Sequence, residues 1–205
     1  VITGAFGSGG TSGAPIGGIL LAGGAGSRFG GRKLLHPLPD GTPIGVAAWR
    51  NLRAALERTV VVVRAGDDEL ATLFADAGAP VVRCEDAHRG MGHSLVCGVR
   101  VLESVGGWVV ALADMPRVQP QTIAAVAERL RAGARIALPV WGDRRGHPVG
   151  FAASCRDELL ALSGDSGARA LLERHAAEVV RVQVDDRGIV EDVDTLEDAA
   201  RLSDS

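Results

Sequence analysis

The chain has 205 residues, 46% of them hydrophobic and 23% charged, which is enough for one globular domain with a substantial core. A net charge of −3 argues against a nucleic-acid binder, and 3% aromatics with no Tyr argue against a stacking platform for single strands. No apolar run reaches membrane-spanning length and no signal-peptide pattern is visible, so a cytoplasmic protein with no membrane partner is expected.

Residues 1–15, "VITGAFGSGGTSGAP", are rich in Gly, Ser and Thr without periodicity and read as a flexible tail outside the fold. The domain is then expected over 16–205. "IGGILLAG" at 16–23 reads as a buried strand, and "PIGVAAWRNLRAALE" at 43–57 as a helix with Pro at its start and Val46, Trp49, Leu52 and Leu56 on one face. "TVVVV" at 59–63 has the unbroken β-branched character of a central parallel strand. Asp67 or Asp68 caps a helix that Gly78 ends, and "PVVRC" at 80–84 follows as a strand.

Residues 92–105 read as a helix with Leu95, Val99 and Leu102 on one face, and "WVVALAD" at 108–114 as a fourth strand. Next comes a helix at 119–133 with Ile123, Val126 and Leu130 inward. "ARIALPVW" and "HPVGF" read as strands, the second of them a candidate for an antiparallel course. Short helices at 157–162 and 167–175, a strand at 178–184 and a capped helix at 195–202 complete the chain. This alternation predicts a three-layer α/β/α domain with a mostly parallel sheet. Such sheets bind ligands at the carboxyl ends of their strands. The three cysteines, Cys84, Cys97 and Cys155, lack metal or redox spacing and read as unpaired small hydrophobes in a reducing compartment.

One stretch carries most of the chemistry. "LLAGGAGSRFGGRKLL" at 20–35 places Arg28, Arg32 and Lys33 on a glycine-rich loop directly after the first strand. It is not a Walker A loop, because Arg32 precedes Lys33 and Leu34 stands where Ser or Thr should coordinate magnesium. It departs from the dinucleotide fingerprint as well, with Phe29 at the third glycine position and Arg64 and Gly66 where an acid should follow the second strand. An NADP-type oxidoreductase using Arg64 stays open as an alternative. Glycines let backbone N–H groups approach a polyphosphate, Arg28 can grip its oxygens bidentately, and Lys33 adds a mobile charge. Two such cations suit a triphosphate better than a dinucleotide pyrophosphate, which a helix N-terminus and backbone amides already satisfy.

The same stretch resembles the N-terminal motif of the MobA-like nucleotidyltransferases, L-A-[AG]-G-x-[SG]-x-R-[MF]-G-x-x-K. Leu21, Ala22, Gly23, Gly24, Arg28, Phe29, Gly30 and Lys33 match it in place. The resemblance implies a Rossmann-like, GT-A-like nucleotidyltransferase fold. It makes Leu21, Ala22, Gly23, Gly24, Arg28 and Lys33 nucleotide-binding residues, with Arg28 and Lys33 also catalytic. "RGMGHSL" resembles the family's segment around the base and ribose, which implies Gly90, Met91, Gly92 and Ser94 there. "ADMP" and "DVDTLED" resemble its metal-binding segments, implying Asp114 and Asp194 as ligands of Mg2+ and Asp114 as catalytic. Read from the residues alone, Asp114 caps a turn and the acids ahead of Thr195 suit a helix N-terminus.

"GHPVGF" and "GDSGAR" resemble the cytidylyltransferase branch, which joins CMP to molybdopterin carrying molybdenum. They imply His147, Asp165 and Arg169 as acceptor-binding residues, with Gly164 and Gly167 shaping the loop. The "LAGG" at Leu21–Gly24 is closer to the guanylyltransferase branch, so both CTP and GTP stay open, with CTP ahead because of the later segments. The implied partners are the nucleotide, molybdopterin or molybdenum cofactor, and a recipient molybdenum enzyme. Transfer to another phosphate acceptor, and a non-catalytic chaperone role, are further alternatives.

Overall fold

A computed structural model describes residues 13–24, 32–164 and 167–201. The first strand, β1 (Ile16–Leu21), is buried along its whole length. After it come α1 (Ile44–Ala55), β2 (Arg58–Arg64), α2 (Asp68–Asp76), β3 (Val81–Cys84), α3 (Met91–Val101) and β4 (Gly107–Leu112). The second half runs α4 (Pro120–Arg131), β5 (Ile136–Trp141), β6 (Arg144–Arg145), β7 (Val149–Ala152), α5 (Arg156–Leu160), α6 (Arg169–Arg174), β8 (Val179–Gln183) and α7 (Leu196–Arg201). The expected helices and strands are present with ends shifted by a few residues. Only β6, a two-residue strand with both side chains exposed, lacks an apolar signal to read.

The sheet order is β3-β2-β1-β4-β7-β5-β6, with β8 on β5. β1 to β4 are mutually parallel, and β8 runs parallel to β5. β7 is antiparallel to both β4 and β5, as the Gly107↔Ala152 and Ile136↔Phe151 pairs show. β1 lies between β2 and β4, so chain connections leave it in both directions and a crevice opens at the carboxyl ends of β1 and β4.

Successive side chains on a strand face opposite ways, and that alternation builds two cores. Leu20, Val61, Val63 and Val109 face one way and pack with Trp49 and Leu52 of α1, Phe74 of α2 and Ile123 and Val126 of α4. Ile19, Val60, Val62 and Trp108 face the other way, onto Leu95 and Val99 of α3, Leu159 of α5 and Leu171 of α6. Helices therefore cover both faces, as the α/β/α expectation requires. The Trp108 indole, 1% exposed, donates to the Leu102 carbonyl at 3.0 Å, so its burial leaves no donor unsatisfied.

The cysteine expectation is corrected. Cys84 ends β3 and Cys97 lies in α3, which folds back over β2 and β3, and the two are joined by a disulfide with their Cα atoms 6.1 Å apart. Thirteen residues of separation hid the pair from sequence reasoning, because the hairpin-like return of α3 is a tertiary event. Cys155 is buried and free, as expected. The cysteines thus no longer argue for a reducing compartment. Among the described residues, no helix is long and apolar enough to cross a membrane.

Candidate active site

The crevice at the end of β1 and β4 is a cavity of about 580 Å3, in the range of small-molecule sites. Backbone bonds fix its floor: Ala22 N–H donates to the Val62 carbonyl at 2.9 Å and Ala113 N–H to the Leu21 carbonyl at 3.1 Å. Leu21, Ala22, Gly23 and Gly24 line one side, and Gly90, Met91 and Ser94 at the start of α3 line another. Ser94 is 3% exposed, and its hydroxyl stands close against Gly23. Met91 is 46% exposed, an unusual position for so large an apolar side chain.

Lys33 and Asp114 also line the cavity. Lys33 Nζ donates to Asp114 Oδ2 at 2.8 Å and to Asp194 Oδ1 at 3.1 Å. The Lys33 side chain is only 11% exposed. Burial acts to lower its pKa, but hydrogen bonds and charge from Asp114, and then from Asp194, outweigh burial and the net shift is upward. The lysine is therefore a firmly held cation. Asp114 follows β4, Lys33 follows the glycine-rich loop and Asp194 precedes α7, so three distant segments meet in one ion-pair cluster.

Asp192 joins them. One ligand atom from each of Asp114, Asp192 and Asp194 lies within 4.8 Å of the others. Asp192 was visible in the sequence as the first acid of "DVDTLED", but a residue on an irregular segment has no strand or helix period to show which way it points. Three carboxylates at this spacing offer the hard oxygen donors that Mg2+ and Mn2+ prefer.

His147 lies beside this cluster. Burial pushes its imidazole pKa down, while the charges of Asp114 and Asp192 push back. Its Nδ1 is buried and has no hydrogen-bond partner among the described residues. Gly92 does not line the cavity; its N–H donates to the Gly164 carbonyl at 3.0 Å, which brings the "GDSGAR" segment against the start of α3. Gly167 packs on Met91 from the same segment. Arg169 is exposed and pairs with Glu173 at 3.0 Å, outside the cavity lining. Arg28 and Asp165 lie outside the described residues. Arg64, Asp67, Glu69, Ala87 and His88 also line the cavity. Of these, the sequence drew attention to Arg64 alone as a ligand residue. The others sit just beyond β2 and β3, where a strand-end rule would have found them.

A crevice at the switch point of a mostly parallel sheet, lined by Gly23 and Gly24 and flanked by a lysine paired with two of three clustered carboxylates, is where an α/β domain of this class takes its ligand. The chain belongs to the family of the MobA-like NTP transferase domain, whose pattern matches residues 18–179, and so to the nucleotidyltransferases. It is 32% identical to the purine catabolism protein PucB of Bacillus subtilis, over 88% of this chain and 92% of that one. It is 31% identical to the nicotine blue oxidoreductase of Paenarthrobacter nicotinovorans, over 90% and 95% of the two chains. A probable molybdenum cofactor guanylyltransferase of Thermococcus kodakarensis is 32% identical over 69% of each chain. Among solved structures, Rv0371c from Mycobacterium tuberculosis H37Rv superposes with a TM-score of 0.81 at 30% identity, covering 95% of this chain and all of that one. A complex of Rv0371c with manganese superposes at 0.77 with 28% identity, over 95% and 100% of the two chains.

Proposed function

We propose that the protein transfers a nucleoside monophosphate, CMP in preference to GMP, from its triphosphate to the phosphate of molybdopterin or molybdenum cofactor. Residues 16–205 act in this reading as one NTP transferase domain, and the product passes to a recipient molybdenum enzyme. The observation that carries the reading is the junction of Lys33, Asp114 and Asp194 at one end of a nucleotide-sized cavity. The guanylyltransferase relative supports the acceptor class, and the "GHPVGF" and "GDSGAR" segments support cytidine over guanosine.

In this reading a terminal oxygen of the acceptor phosphate attacks the α-phosphorus in line. The new O–P bond forms as the bond to the β-phosphate bridging oxygen breaks, and pyrophosphate leaves with that electron pair. The acceptor phosphate is already a nucleophile, so no covalent enzyme intermediate is needed. Leu21, Ala22, Gly23 and Gly24 hold the triphosphate, with Gly90, Met91 and Ser94 around the nucleoside and Gly92 behind them, bonded to the Gly164 carbonyl. Arg28 and Lys33 neutralise the leaving pyrophosphate. Asp114 and Asp194, with Asp192, would hold Mg2+, which supplies charge neutralisation at the phosphates. His147, Asp165 and Arg169 orient the acceptor. The manganese complex of Rv0371c supports a divalent cation here.

A second reading, an NADP-dependent oxidoreductase, has two supports: the name of the Paenarthrobacter relative and Arg64 in the cavity wall. Calorimetry with CTP, GTP and NADPH, each with and without Mg2+, separates them. Magnesium-dependent binding of CTP above GTP, followed by pyrophosphate release with molybdopterin, is the expected result. NADPH binding indifferent to Mg2+, without triphosphate binding, would overturn the transferase.

A further inference from the structure

Asp186 is a carboxylate that neither the cavity nor the ion-pair cluster includes, yet it is 3% exposed. A buried carboxylate costs free energy unless its oxygens are satisfied, and these are. Oδ2 accepts from the Gln119 backbone N–H at 2.9 Å and from the Thr122 hydroxyl at 2.6 Å. Oδ1 accepts from the Gly188 N–H at 3.0 Å. Gln119 precedes α4 and makes no side-chain cap of its own, so Asp186 caps that helix from 67 residues away, with its charge at the positive end of the helix dipole.

This anchor stands at the head of residues 186–194, a strap that opens with a 3-10 turn over Arg187–Val190, capped by Asp186 itself, and runs on without regular structure to Asp192 and Asp194. The strap has further moorings. Gly188 lies so close to the Arg117 carbonyl that a Cβ there would overlap it. The Ile189 carbonyl accepts from His147 N–H at 3.0 Å, and Gly146 passes that carbonyl where no side chain would fit. Val193 N–H donates to the Asp114 carbonyl at 2.9 Å. One strap thus ties the segment after β4, the start of α4 and His147 together, and it delivers two of the three carboxylates.

We propose that Asp186 is a positioning residue: by fastening the strap to the start of α4, it sets Asp192 and Asp194 against Asp114 at the spacing a divalent cation needs. The inference rests on the metal reading of those three carboxylates. The partners that orient ligating residues typically govern metal affinity as strongly as some ligands do.

The test titrates Mn2+ into the full chain by calorimetry, for wild type, Asp186→Asn, Thr122→Val and Asp192→Asn, with folding followed by circular dichroism. Asp186→Asn places an amide N–H against at least one of three N–H or O–H donors. It is expected to weaken Mn2+ about tenfold while metal-free nucleotide affinity stays at the wild-type value, because β1, β2 and α3 form that wall. Activity should show kcat falling at unchanged nucleotide KM. Thr122→Val removes a single hydrogen bond and is expected to weaken Mn2+ by about threefold. A folded Asp186→Asn protein with wild-type Mn2+ affinity overturns the inference. Should that variant fail to fold, wild-type affinity in Thr122→Val overturns it equally. Absence of Mn2+ binding in the wild type would instead bring down the metal reading itself, whereas loss of binding in Asp192→Asn alone keeps that reading and rejects the role of Asp186.

Discussion

The two halves of the molecule build their share of the site by different means. In the first half, β1, β2 and β4 end side by side in register, and the chain places its candidate groups at or just beyond those ends: Gly23 and Gly24 after β1, Arg64 at the end of β2, Asp114 after β4. In the second half the sheet turns antiparallel at β7, and the relevant groups sit on irregular backbone: His147 before β7, Asp192 and Asp194 on the strap. Regular sheet geometry positions the first set automatically. The second set depends on individual backbone hydrogen bonds and one buried carboxylate. The cavity wall after β1 and β2 should therefore tolerate change in the second half, while the carboxylate cluster should not.

The largest effect is expected where the halves meet. Asp114→Ala and Lys33→Ala should each lower turnover by about a hundredfold to a thousandfold or more, with the circular dichroism spectrum unchanged. Steady-state pyrophosphate release checks this, and wild-type rates at saturating substrate in either variant would remove that residue from the chemistry.

A smaller loss is expected within the second half. Asp192→Asn should weaken Mn2+ or Mg2+ by about tenfold and leave metal-free CTP affinity unchanged in calorimetry. Parallel loss of both would mean that the halves are not separable. Asp194→Asn additionally removes a charge from Lys33, so its lysine pKa should fall relative to wild type, in keeping with the upward push Asp194 now exerts.

Smaller still is the acceptor side. Arg169 is solvated and paired with Glu173. Arg169→Ala should raise the acceptor KM several-fold, about 1 kcal/mol, with nucleotide KM unmoved. A change in nucleotide KM instead would assign the "GDSGAR" segment to the nucleotide, consistent with its seat on Gly92 and Met91.

The smallest prediction concerns pH. His175 bridges Glu158 at 2.9 Å and Glu178 at 2.7 Å, and Glu158 also accepts from Arg135 and Arg174. The hydrogen bond from His175, foremost, holds the Glu158 pKa at about 2, down from 4.5. Hydrogen bonds to Glu158 and then Glu178 raise the His175 pKa above 6.5. The histidine's contribution is thus full below pH 6.5 and lost as pH rises through its raised value. That of Glu158 is full above pH 4.5 and lost as pH falls toward about 2. Melting temperature against pH should fall above pH 6.5 in wild type and stay flatter in His175→Gln. The network lies at the surface with His175 and Glu158 only partly exposed, so the difference should be a few degrees at most. An identical profile in both proteins would show that His175 is not its source.

Much of this was legible in the chain itself. Continuous β-branched runs such as 59–63 and helix faces such as Leu95 and Val99 identified the layers, since burial on both sides of a parallel strand permits little else. Lys33 soon after the first strand, and Asp114 at a strand end, were readable as candidates because short-range sequence order and the strand-end rule both point to the crevice they border. Tertiary structure alone decided the rest. It paired Cys84 with Cys97, turned Lys33 onto Asp114 and Asp194, brought Asp192 into the trio, and spent Asp186 on a helix 67 residues away. These are contacts between segments without periodicity. Their direction is set by which donors remain unsatisfied after the sheet has formed, and no local pattern in a sequence records that.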